Sequence, residues 1–118
     1  SGGTWLLPRL VGWAKAAEIA FAGRVLSARE SLELGLVSKV VPAESLMDEV
    51  RSYARVFTQG PSIAIELTRR GIYRSLESDF DSCLEWEQFA QNIAVRSADF
   101  KEGAKAFFER REPKFEGR

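Results

Sequence analysis

The chain has 118 residues, 45% hydrophobic and 29% charged, the size of one domain and a composition that favours a folded chain over a disordered one. It carries 17 Lys plus Arg against 17 Asp plus Glu, which argues against a dedicated nucleic-acid binder, and no apolar run is long enough to span a bilayer. There is no His and the single Cys is Cys83, so within this chain a Ser-His-Asp triad, a His-ligated metal, an internal disulfide and a Cys zinc cluster are all excluded, and a reducing, cytoplasmic setting is expected.

The chain opens SGGTWLLPRLVGW. A Gly pair leading into an apolar helix suits a backbone that must approach something closely, and suggests a piece of a longer chain cut at a functional seam. Thr4 to Val11 reads as a short helix of two turns or less, or kinked, because Pro8 lies inside it. After Gly12, the Ala-rich run Trp13 to Ala22 is helical by propensity, and Gly23 is a natural stop. Arg24 to Leu26 looks extended. Ser27-Ala-Arg-Glu30 is a capping box that starts a helix ending near Leu34 and Gly35. Val37 to Val41 alternates enough to predict a short strand, closed by Pro42.

From Ala43 onward the pattern is helical. Leu46, Val50, Tyr53, Ala54 and Phe57 form a stripe at spacings of three and four. Gly60-Pro61 punctuates, with Pro61 suited to the first position of the next helix. Ile63, Leu67, Ile72 and Leu76 mark that helix, with Gly71 weakening its interior. Asp79 can cap the following helix, in which Trp86, Phe89, Ala90 and Ile93 give a broad apolar surface. Asp99-Phe-Lys-Glu102 is a capping-box-like start with Asp99 as N-cap, and the last helix runs to Arg110-Arg111 before Pro113. The expected fold is mainly α with two short β segments, in two parts, 1–42 and 43–118.

Each candidate for chemistry has a plain alternative. The Gly2-Gly3 helix start offers free amides to an anion or a reacting oxygen, or is simply a linker or a close-packing feature. Lys105, Arg110, Arg111 and Lys114 could hold a phosphate, whereas cations at a helix C-terminus also complement its dipole and stay solvated. Glu77, Asp79, Asp81, Glu85 and Glu87 offer metal binding or paired-carboxylate catalysis, with Asp81 and Glu85 four apart on one helical face, but without His they read as a solvated face plus a cap. Trp5, Trp13, Phe21, Phe57, Trp86 and Phe89 read as core and packing residues. In Phe107-Phe108, at least one ring of two adjacent helical positions faces outward, giving a ligand surface or a subunit contact. No complete active site emerges from these residues alone.

Three marks in order, GGTWLLPRLVG, AFAGRVLSA and GLVSKVVP, together with the ending DFKEGAKAFFERREPKF, resemble the enoyl-CoA hydratase/isomerase (crotonase) family over Gly2 to Phe115. The resemblance implies the C-terminal helical region of that fold, which follows a spiral catalytic core and drives trimer formation. It implies a parent enzyme that hydrates or isomerises an enoyl-CoA thioester through a stabilised enolate, in fatty-acid or related acyl-CoA metabolism. The family's catalytic acid and its oxyanion-hole amides lie upstream of the residues matched here, so no catalytic residue is assigned and this stretch alone is expected to be inactive.

The same resemblance implies that Ser1, Gly2 and Gly3 line the active site. It also implies that Phe107 and Arg110 touch coenzyme A bound to a neighbouring subunit, Arg110 near the adenosine 3′-phosphate. Coenzyme A enters as part of the substrate, with no separate cofactor, no metal, no nucleic acid and no membrane. Partners are the acyl-CoA substrate and further copies in a homo-oligomer, a trimer or hexamer for the parent. Truncation is expected to expose apolar faces that include Trp5, Leu10 and Trp13. The reading from a different class is a stand-alone helical oligomerisation or interaction module without catalysis.

Overall fold

The computed structural model describes residues 2–118, and the chain divides into two compact units, Ser1–Leu46 and Met47–Arg118. In the first, α1 (Gly3–Val11) packs on α2 (Trp13–Phe21), and a short α3 (Ala28–Glu33) follows. A 3₁₀ turn at Ala43–Ser45 leads into α4 (Leu46–Thr58). The second unit continues with α5 (Ser62–Ser75), α6 (Phe80–Ala94) and α7 (Ala98–Glu109), of which α5 and α6 pack on each other.

The capping box forms as the sequence requires. Ser27 Oγ accepts from the Glu30 amide at 3.2 Å, and the Glu30 carboxylate accepts from the Ser27 amide at 2.9 Å. Arg24 joins this cap to α2, one guanidinium nitrogen on Glu18 and the other on Glu30 at 2.8 Å. The Ser27 amide and hydroxyl hold the Glu30 carboxyl below its ordinary range, and the Lys15 and Arg24 hydrogen bonds do the same for Glu18. Asp79 caps α6 as expected, accepting from the Ser82 amide at 2.9 Å. Pro61 stands one position before the first helical residue of α5 rather than within it.

Two expectations fail here. Neither Arg24–Leu26 nor Val37–Val41 is a strand, and no strand forms among the described residues. Both runs are irregular, and a short alternating run by itself does not make a sheet. The second failure concerns the aromatics. Trp13 is 83% exposed and Phe21 90%, and Phe57 and Phe89 are also exposed. Of the expected core aromatics, only Trp5 and Trp86 are half-buried. Arg9 lies over the Trp5 ring at 3.9 Å, so Trp5 is covered by its own helix. Of the faces expected to be laid open, Leu10 and Trp13 are exposed and Trp5 is half-buried, so for Trp13 the open-face expectation holds in place of the core one.

Among the described residues, Ala16 and Ala106 are the apolar ones that are buried, and Asp99 is the buried charged one. The helices carry apolar faces at the right spacing, yet outside the pairs α1–α2 and α5–α6 those faces meet no second helix across a broad contact. In α4 the stripe Val50, Tyr53 and Phe57 is exposed throughout, with Tyr53 and Phe57 covering each other edge to face at 5.3 Å. Gly71, expected to weaken α5, has a packing reason. A Cβ there would lie 3.0 Å from Trp86 Nε1, so glycine lets the indole of α6 approach the α5 backbone. Arg74 covers that indole from one side, 5.4 Å from the ring centre.

Candidate functional site

The expected site residues fall in two groups, one in each unit. Ser1 lies outside the described residues. Gly2 stands just before α1 with φ 80°, a left-handed conformation that favours glycine, and its carbonyl accepts from the Trp5 and Leu6 amides at 3.1 and 2.9 Å. Gly3 opens the helix, with open space where a Cβ would stand. No side chain caps this end and no acidic residue lies in the first turn. The start of α1 therefore presents amides bare of local competitors, which suits a developing negative charge nearby. Beside it, Leu7, Pro8, Ala16, Ala17 and Ala20 line an apolar hollow of about 410 Å³ between α1 and α2.

The second group sits where α7 ends. Phe107 is 80% exposed and rests edge-on against Phe108 at 5.8 Å, and both rings face solvent. Arg110 adopts the left-handed conformation, φ 53° and ψ 42°, the one positive-φ residue besides glycine among the described residues. Its amide donates to the Phe107 carbonyl at 3.2 Å, and the Arg111 amide donates to the Ala106 carbonyl at 3.1 Å. This is the bond pattern of a Schellman turn, with arginine at the place usually filled by glycine.

The two adjacent arginines differ completely. Arg111 is exposed, yet its guanidinium is not free: it forks onto both oxygens of Glu102 at 2.6 and 3.0 Å and also reaches Glu109 at 2.6 Å. These bonds, Arg111 first and then the Lys114 amide, lower the Glu102 carboxyl from the ordinary 4.5 to about 2. Glu102 and Glu109 in turn raise the Arg111 pKa. Arg110 makes no side-chain hydrogen bond or ion pair among the described residues, so its guanidinium remains available to an outside anion. Lys105, the other cation of the expected cluster on this helix, lies 3.9 Å from Glu109.

Asp99 corrects the expected cap. Ser97 is the N-cap of α7, accepting from the Phe100 amide at 3.0 Å. Asp99, buried, turns its carboxylate onto the chain's last residues and accepts from the Glu116 amide at 2.7 Å and the Gly117 amide at 2.9 Å. The Asp-x-x-Glu spacing was visible, but a capping box and a pair of receptors for a returning chain look alike until that chain is placed. Asp99 and Glu102 are thus residues of this end that sequence reasoning misassigned.

Comparison with known proteins agrees with both the motifs and the helical arrangement. The family model for enoyl-CoA hydratase/isomerase matches residues 1–118. The chain is 38% identical over 117 residues to 1,2-epoxyphenylacetyl-CoA isomerase of Escherichia coli, covering 99% of this chain and 45% of that one. It is 36% identical over 115 residues to crotonyl-CoA hydratase of Syntrophomonas wolfei, covering 97% and 44%. The crystal structure of enoyl-CoA hydratase from Bacillus anthracis superimposes with a TM-score of 0.94 at 35% identity, covering 99% of this chain and 45% of that one. The chain therefore spans less than half the length of these relatives. Matched from end to end, it belongs to the enoyl-CoA hydratase/isomerase family.

Proposed function

We propose that this chain is the C-terminal helical part of an enzyme that hydrates an enoyl-CoA thioester or moves its double bond through an enolate. The observation that carries the reading is the family match over residues 1–118 combined with coverage of only 45% of a relative's length. The family's acid and oxyanion-hole amides belong to the half not present here, and without them an enolate has nothing to stabilise it. This stretch alone is therefore inactive, contains no catalytic residue and requires no cofactor apart from the coenzyme A of the substrate.

In the whole protein, Ser1, Gly2 and Gly3 line the active site. Phe107 and Arg110 meet coenzyme A held by a neighbouring subunit of a homo-oligomer, a trimer or hexamer. Among the described residues the Arg110 guanidinium has no partner and Phe107, three residues before it, is exposed; together these support the assignment, one residue offering charge for a phosphate and the other an apolar surface. The setting proposed is cytoplasmic fatty-acid or related acyl-CoA metabolism.

The test is an assay of enoyl-CoA hydration and of double-bond migration with two products, the 118-residue chain and the longest reading frame that encodes it. Activity confined to the longer product is expected, and turnover by the 118-residue chain would overturn the reading. The exposed stripe of α4 favours a second reading, a helical self-association module. Sedimentation of the 118-residue chain as an oligomer that has no affinity for coenzyme A, with an inactive longer product, is the outcome that reading requires.

A further inference from the structure

The nine residues after Glu109 do not trail into solvent. They run back along α7 from its end to its start, held at successive points. Arg111 is forked onto Glu102, and the Lys114 amide donates to the same carboxylate at 2.8 Å. The Phe115 ring packs over Gly103, where a Cβ would stand 3.5 Å from it. Asp99 then receives the amides of Glu116 and Gly117. Finally the Arg118 carbonyl accepts from the Ala98 and Asp99 amides at 2.7 and 3.1 Å, capping the helix that the strap has just retraced.

A strap fixed at both ends of a helix leaves its turning point little freedom. That turning point is Arg110. A left-handed arginine costs free energy that glycine would not, so the turn persists because the contacts on either side of it determine it. Arg111, next along the chain, carries the electrostatic share of this fixation, while Arg110 carries none and has its charge free.

We infer that the strap of residues 111–118 is a positioning device, in which Asp99 and Glu102 latch the chain's end to α7 so that Arg110 is held in its left-handed turn with its guanidinium presented to a phosphate group. The latch is a statement about this chain alone, whereas the identity of the anion rests on the function proposed above. Asp99 touches no ligand and acts through the strap. The ligand chemistry is a phosphate monoester, here that of the coenzyme A proposed above, which a guanidinium with no partner among the described residues can accept through charge-assisted hydrogen bonds.

The experiment uses the full 118-residue chain with Asp99→Asn and Gly117→Ala variants. Asn retains one acceptor oxygen for two amides, and the Ala variant breaks the latch from the other side. Gly117 has φ 77°, and a Cβ there would lie 2.8 Å from Ser62 Oγ. Amide hydrogen exchange reads the latch. In both variants, exchange at Glu116 and residue 117 is expected to quicken about tenfold or more, while the middle of α7 stays protected. Backbone scalar couplings at Arg110 are expected to lose their positive-φ signature.

Binding reads the consequence. In the longest reading frame that encodes this chain, adenosine 3′,5′-bisphosphate should bind the native protein more tightly than adenosine 5′-monophosphate, and the same two variants made there should lose most of that preference. Unchanged exchange in the variants overturns the latch. Faster exchange with the preference intact overturns the positioning role. A native protein with no preference overturns the phosphate assignment of Arg110, while the exchange data still decide separately whether the latch exists.

Discussion

Helices α4 and α7 are of similar length and both are amphipathic, yet they are completed in different ways. α7 has its own returning chain, which covers Gly103, satisfies Asp99 and Glu102, and leaves Ala106 almost fully buried. α4 buries no residue at all, and its stripe of Val50, Tyr53 and Phe57 faces outward. Amphipathic spacing shows that a helix has a face to bury. It does not show whether the same chain supplies what buries it.

The comparison is broken most forcefully at Asp99. Replacing it with Ala removes a buried carboxylate and leaves the Glu116 and Gly117 amides without their acceptor, so Asp99→Ala should cost about 2 kcal/mol, read by chemical denaturation. Acid tests the other attachment. The folded pKa of Glu102, about 2, lies below its ordinary 4.5, so its contribution is present above about pH 4.5 and is lost as pH falls toward 2. The expected observation is release of strap amides to exchange across that interval, with α6 retaining its protection; strap amides still protected at pH 2 would contradict it.

Arg110→Gly should move stability the other way. Glycine relieves the left-handed strain and stabilises the chain by about 1 kcal/mol in denaturant titration, while removing the free cation. A destabilised glycine variant would mean that the Arg110 side chain supports the fold. The smallest effect belongs to α4. Phe57→Ser should lower the stability of the 118-residue chain by no more than about 1 kcal/mol, because the ring is half in water and its aromatic contact, Tyr53, lies on the same helix. Any larger loss would show that α4 has a partner within the oligomer formed by this chain.

Local signals were legible in the sequence, and each worked where the physics is local. The Ser27–Glu30 box, the Asp79 cap, the break at Gly12 and the stripes of α4 and α5 need only a few neighbouring residues. Family membership was legible too, because three motifs in order carry more information than any one residue. The misreadings share a cause. Asp99 was given to its own helix because its true partners lie 17 and 18 residues downstream. The Arg111 ion pair went unread because Glu102 lies 9 residues before it. The aromatic residues were given to a core because an apolar stripe does not name its partner. The two strands failed because a short alternating run by itself does not make a sheet.

The strap also imposes an order on biosynthesis. A ribosome delivers residues from the N-terminus onward, so α1 and α2, and then α5 and α6, can meet while later residues are still being added. The first amides of α7 have no such opportunity, because the carbonyl that caps Ala98 and Asp99 belongs to Arg118. Until residue 118 has cleared the exit tunnel, α7 is a helix without a finished beginning, and Arg110 a turn with nothing to hold it.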